Sequence, residues 1–146
     1  MVKSVSGLVF GILLLVFSGW GLVTNVIGLF AIAALGAFRE GFEAFGMAAL
    51  PPDWYLYSVG LYSIIISIVG IVLGIGLLMT REWARKASVI LSIVVPSIGV
   101  LNIVVLAIMG LFVQVFGALF GFILSLIFYG LMLFFFTRPN VKQEFA

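Results

Sequence analysis

The chain has 146 residues, of which 65% are hydrophobic and 8% are charged. Soluble domains carry about 45–50% apolar and about 25% charged residues, so this composition excludes a soluble or disordered chain and indicates an integral membrane protein. The sequence has no Cys and no His, which excludes disulfides and imidazole-based metal or acid–base sites, and its formal net charge of +2 is too small for a nucleic-acid surface.

Charged residues separate long uncharged stretches, and a membrane-spanning helix needs about 20 apolar residues. The sequence predicts one transmembrane domain, residues 1–146, with spans over residues 5–31, 55–79, 86–108 and 114–136. The predicted fold class is therefore an all-α membrane protein, a four-transmembrane-helix bundle.

The distribution of basic residues predicts the orientation of these spans. Six fall on one side of a four-span topology, namely Lys3, Arg81, Arg85, Lys86, Arg138 and Lys142. Only Arg39 falls on the other side. Because basic loops stay in the cytoplasm, both termini are predicted to be cytoplasmic in a multi-pass protein of a prokaryotic cell membrane.

The first outer loop carries an amphipathic pattern over residues 37–49. Phe38, Phe42 and Phe45 recur at intervals of four and three on one helical face, and Pro51-Pro52 follows. The pattern predicts a short helix in the outer interface with its phenylalanines toward the lipid. Two alternatives are an extension of the first span and a cover over the bundle mouth.

Small residues recur along the spans at steps of three and four, which is typical of closely packed membrane helices. The predicted helix-packing residues are Gly7, Gly11, Gly21, Gly60, Gly70, Gly74, Gly117 and Gly121. Their heptad spacing in the first two spans predicts that these two helices pack along most of their length. The stripe of the fourth span has two interpretations, a contact within the bundle or an interface with a second copy or a partner subunit.

The second and fourth spans end alike, in Thr80-Arg81 and Thr137-Arg138, while Asn25 and Asn102 occupy matching places in the first and third. This similarity suggests two tandem helical hairpins of the same orientation.

Asn25 and Asn102 are also the most notable polar residues at depth. They predict either a structural hydrogen-bonded clamp between the first and third helices, or a polar constriction or headgroup site.

No catalytic, cofactor-binding or metal-binding residues are predicted, because the interiors of the spans hold no Asp, Glu, Lys or Arg to support such chemistry. The inner loop is basic and aromatic, and its position favours contact with anionic lipid. The predicted lipid-contact residues are Arg81, Trp83, Arg85 and Lys86.

The inner loop Arg81-Glu82-Trp83-Ala84-Arg85-Lys86 and the tail that begins Arg138-Pro139-Asn140-Val141-Lys142 carry a resemblance. They resemble small, mostly uncharacterised four-span membrane proteins of archaea and bacteria. In that group a W-A-R/K loop follows the second span and an R-P-x-V-K-x-x-F tail follows the fourth. The resemblance implies the span layout and no catalytic or binding residue.

Two functions follow as hypotheses. The first is a non-enzymatic accessory or scaffolding subunit, whose partners are the lipid bilayer and either a second copy or another membrane subunit, with no nucleic acid. The alternative is a homo-oligomeric pore or carrier for a small neutral or weakly charged solute.

Overall fold

The computed structural model describes residues 5–44 and 51–145, and within them all regular structure is helical. The helices are α1 (Val5–Ala44), α2 (Asp53–Leu78), α3 (Glu82–Ile108), α4 (Phe112–Thr137) and α5 (Pro139–Glu144). Helices α1 to α4 each hold a segment long and apolar enough to cross a membrane. The predicted all-helical class and the predicted number of spans are thereby confirmed.

Helix α1 is longer than the span predicted for it. It has 40 residues, which at a rise of about 1.5 Å each gives about 60 Å. The described part of the predicted interfacial helix, residues 37–44, continues α1 without a break. Residues 45–49 of that helix, and Lys3 of the basic set, lie outside the described residues. The position of this segment in the interface stays a prediction.

Two tight turns, α2–α3 and α3–α4, share one hydrogen-bonding pattern. The Arg81 amide donates to the Gly76 carbonyl at 3.0 Å, and the Leu111 amide donates to the Leu106 carbonyl at 3.1 Å. Each is the six-to-one bond of a Schellman motif, whose preceding residue adopts a left-handed conformation. That residue is Thr80 at φ 52° in the first turn and Gly110 at φ 72° in the second.

Contacts divide the chain into two compact units. The hairpin unit is Leu14–Val72 and holds most of α1 and α2. The α3–α4 unit is Met1–Leu13 with Leu73–Ala146, so it also holds the start of α1 and the end of α2. The most deeply buried large side chains, those of Leu77, Met132 and Phe136, all belong to the α3–α4 unit.

Candidate functional site

In the hairpin unit, α1 and α2 pack closely against each other through small residues. A Cβ atom built on Gly70 would collide with Ser18 Oγ and lie 3.0 Å from Ser18 Cβ. A Cβ on Gly21 would lie 3.1 Å from Ser67 Oγ. Since the contact moves down α2 as it moves up α1, the helices are antiparallel, and glycine and serine alternate across the seam.

The seam continues to Gly60, where an added Cβ would lie 2.6 Å from Leu29 Cδ2. Three of the predicted packing residues, Gly21, Gly60 and Gly70, thus lie directly against the neighbouring helix. Close backbone approach of this kind is a main source of stability between helices in lipid. The seam between these helices is filled by side chains at these three positions.

Polar groups near this seam bond within their own helices. Asn25 Nδ2 donates to the Gly21 carbonyl at 2.6 Å. Ser67 Oγ donates to the Ser63 carbonyl at 2.8 Å. This hydrogen bond of Asn25 is therefore local. Asn102 is half-buried on α3 and is also engaged with a partner.

In the α3–α4 unit, glycines mark three further close contacts. A Cβ on Gly11 would lie 3.0 Å from the Gly74 carbonyl oxygen, and both residues are buried, as is Gly7. One on Gly76 would lie 2.6 Å from Ala84 Cβ, and one on Gly99 would lie 2.9 Å from Phe122 Cδ2.

Sequence reasoning missed Gly76 because it is off the heptad stripe of α2. The side chains that cover Gly76 belong to the start of α3 and not to α1. The one indication of this contact in the sequence is that Gly76 lies close to the tight α2–α3 turn. Two predicted packing residues, Gly117 and Gly121, behave differently, since nothing lies within 4 Å of a Cβ built on either. They make no packing contact with another helix of the described chain.

The most unusual polar group in the described chain is the guanidinium of Arg85. Sequence reasoning placed it in contact with lipid, but the residue is 9% exposed. The reason is a hydrogen bond across the unit, in which Nη1 donates to the Phe136 carbonyl at 3.2 Å. That carbonyl is among the last four of α4, which have no partner within their own helix. A cation there also favours the negative end of the helix dipole.

Two buried donors of α3 have no hydrogen-bond partner. Arg85 Nε and Ser88 Oγ are both closed off from solvent and make no hydrogen bond. Ser88 is 0% exposed. The two residues are three apart on α3, a spacing that puts them on the same helical face.

The residue that accepts the hydrogen bond of Arg85, Phe136, also packs against other aromatic rings. The Phe136 ring packs against Phe10 at 5.4 Å between centroids and against Phe145 at 5.9 Å. These contacts bring the start of α1 and the end of α5 to the same place. Glu82, three residues before Arg85, bonds the exposed Lys86 at 2.7 Å, and no ion pair of Arg85 is found among the side chains that the structure describes.

The other predicted lipid-contact residues, Arg81, Trp83 and Lys86, are all exposed. The ring of Trp83 also covers Gly76, whose added Cβ would lie 2.9 Å from its Cζ2. Arg138, at the end of α4, is exposed and stacks over the Phe134 ring at 4.2 Å. This end of the α3–α4 unit therefore carries an exposed basic and aromatic surface beside a buried cation.

No group of three or more acidic, His or Cys side chains among the described residues could hold a metal ion. Comparison of the chain with protein-family models, curated proteins and solved structures finds no match. The likeness to four-span proteins of archaea and bacteria therefore rests on the loop and tail motifs alone.

Proposed function

We propose that this protein is a non-enzymatic integral membrane protein that acts as an accessory or scaffolding subunit, in a homo-oligomer or a larger membrane complex. The observation that carries the proposal is the uncovered surface of α4. Its buried residues are Met132 and Phe136, both in its last two turns. Residues 112–131 therefore add no buried side chain to the described chain.

Phenylalanines and glycines recur in a regular pattern on the uncovered part of α4. Phe112, Phe116 and Phe120 are exposed and recur every four residues. Gly117 and Gly121 each follow one of these phenylalanines and have open space around them. A ridge of rings beside a glycine groove suits the close approach of another transmembrane helix, because small residues let backbones touch.

This surface predicts a selective effect of Gly121→Leu. The variant should keep the thermal stability of the isolated chain, since the site is open, and should lose its association with a second copy or a partner subunit. Chemical cross-linking and co-purification in mild detergent measure that association.

Gly130→Leu is the matched control for this test. Gly130 also has nothing within 4 Å of an added Cβ, and it follows Gly121 by nine residues, about two and a half turns, so it lies on the opposite face. It should associate as the wild type does. Equal association of the two variants would argue against the α4 interface.

The alternative function, a homo-oligomeric pore or carrier, is tested by solute flux. The filled glycine–serine seam and the local bond of Asn25 favour the subunit over the pore. We expect protein in sealed liposomes to show no proton, potassium or chloride flux above that of empty vesicles. A flux that disappears in an Asn25→Leu, Asn102→Leu double variant would promote the pore.

The orientation proposed with this function has both termini in the cytoplasm, at a cell membrane, as the excess of basic residues at one end supports. We expect a cysteine at Gln143 to react only with reagent on the cytoplasmic side. One at Ala48, which lies outside the described residues, should react only from the other side. Labelling of both positions from the same side would contradict the four-span topology.

A further inference from the structure

Arg85 and Ser88 of α3 each carry a buried hydrogen-bond donor. Arg85 Nη1 is held by the Phe136 carbonyl, while Arg85 Nε and Ser88 Oγ have no partner. Buried polar groups in folded proteins nearly always have partners, so each exception needs an explanation. A single ligand could satisfy both donors, since Arg85 and Ser88 lie on one face of α3 within one turn.

The positive charge of Arg85 restricts the chemical class of the ligand. The guanidinium is permanently positive, and no ion pair of Arg85 is found among the side chains that the structure describes, which do not include that of Glu144. The negative end of the α4 dipole, at the Phe136 carbonyl, compensates the guanidinium only in part, because a helix end carries about half an elementary charge. A water molecule would accept hydrogen bonds from the donors but leave the positive charge without a counter-ion. An anion would accept the hydrogen bonds and also neutralise the charge.

The hydrogen-bond donors at this place restrict the class of anion further. Arginine nitrogens and a serine hydroxyl match the oxygens of a phosphate group, which accepts several charge-assisted hydrogen bonds at once. Phosphate groups also lie at the depth where an apolar span ends. Trp83, two residues before Arg85 in the sequence, is half-exposed and is of a residue type enriched at that depth. The exposed cations Arg81 and Arg138 would raise the local anion concentration.

We propose that Arg85 and Ser88 form an anion-binding site that takes a phosphate group, either that of a phospholipid or free phosphate. Nε of Arg85 and Oγ of Ser88 donate to two of its oxygens while Nη1 keeps its bond to α4. Because both donors are closed off from solvent, side chains that cover them must move aside to admit the ligand. The site is independent of the α4 surface and stands whether or not that surface binds a partner.

The test uses the whole protein in a maltoside detergent, which contains no phosphate. Inorganic phosphate should raise the unfolding temperature above that in sodium chloride of equal ionic strength, if the source is free phosphate. Phosphatidylglycerol should do so, with diacylglycerol having no effect, if the source is a lipid. Either result supports the site, and the pair distinguishes the sources.

Ser88→Ala is the decisive variant, because it removes one donor and keeps the helix and the charge. It should weaken the affinity for the effective phosphate compound by about tenfold, the usual effect of losing one hydrogen bond to a charged group. Arg85→Lys, which lacks Nε, should weaken it further. Ser97→Ala is the matched control, since that exposed serine of α3 bonds its own helix at 2.8 Å, and it should bind as the wild type does.

Two outcomes would overturn the proposal. One is equal stabilisation by phosphate compounds and by chloride or diacylglycerol. The other is an affinity of Ser88→Ala equal to that of the wild type. Since Ser88→Ala is a small change, the test holds even if Arg85→Lys does not fold.

Discussion

Replacing Gly70 by leucine should destabilise the fold more than any other single change in the hairpin unit. The new Cβ would collide with Ser18 Oγ and lie 3.0 Å from Ser18 Cβ, and neither helix can yield without losing its contacts at neighbouring positions. Overpacking of a close contact costs about 3 kcal/mol at the upper end of its usual range. Thermal unfolding in detergent, followed by circular dichroism, measures the loss.

Two further variants separate this collision from a general effect of substitution. Ile65→Leu, at a position of α2 that is 59% exposed, should be near neutral. Ser18→Gly should restore most of the stability lost in Gly70→Ala, because it removes the atoms that the new methyl group meets. If Gly70→Leu is as stable as Ile65→Leu, or if Ser18→Gly gives no rescue, the seam is placed incorrectly.

Replacing Phe136 by alanine should have a comparable effect on the α3–α4 unit. The side chain is 0% exposed, and its ring packs against Phe10 and Phe145. Truncation of a fully buried phenylalanine costs about 3–5 kcal/mol, since the cavity left behind closes only in part. The free energy of unfolding in mixed micelles, measured by tryptophan fluorescence, gives the size of the loss.

Phe120→Ala is the control on the same helix, where the ring is 68% exposed. It should leave the unfolding free energy of the isolated chain almost unchanged. A loss as large as that of Phe136→Ala would mean that exposure does not distinguish these two rings. The proposed packing of α4 would then have to be abandoned.

The sequence predicted the helical class and four spans because membrane insertion depends on long apolar stretches, which a linear sequence displays directly. The α1–α2 contacts were accessible for a related reason. Gly21, Gly60 and Gly70 follow a regular spacing, and a regular spacing on a helix defines a face. A stripe of small residues still does not show which helix packs against it. Gly117 and Gly121 belong to such a stripe, and nothing lies within 4 Å of a Cβ built on either.

The placement of Arg85 was not accessible from sequence. A basic residue near the end of a span usually reaches toward headgroups, and Arg81 and Lys86 on either side of it are exposed. The burial of Arg85 depends on Phe136, 51 residues later, whose carbonyl becomes available only because α4 ends there. The spacing of residues along α3 gives no information about where α4 ends.

The tight α2–α3 turn makes the chain length between these helices critical. One residue inserted after Thr80 would disrupt the hydrogen-bonded turn, and one taken up into the start of α3 would rotate the rest of that helix by about 100° relative to the turn. Arg85 would then leave the Phe136 carbonyl, and Ser88 would leave its buried position. We therefore expect insertions and deletions at this turn to be tolerated less well than substitutions, so an epitope tag or a fluorescent protein fused into the chain belongs elsewhere.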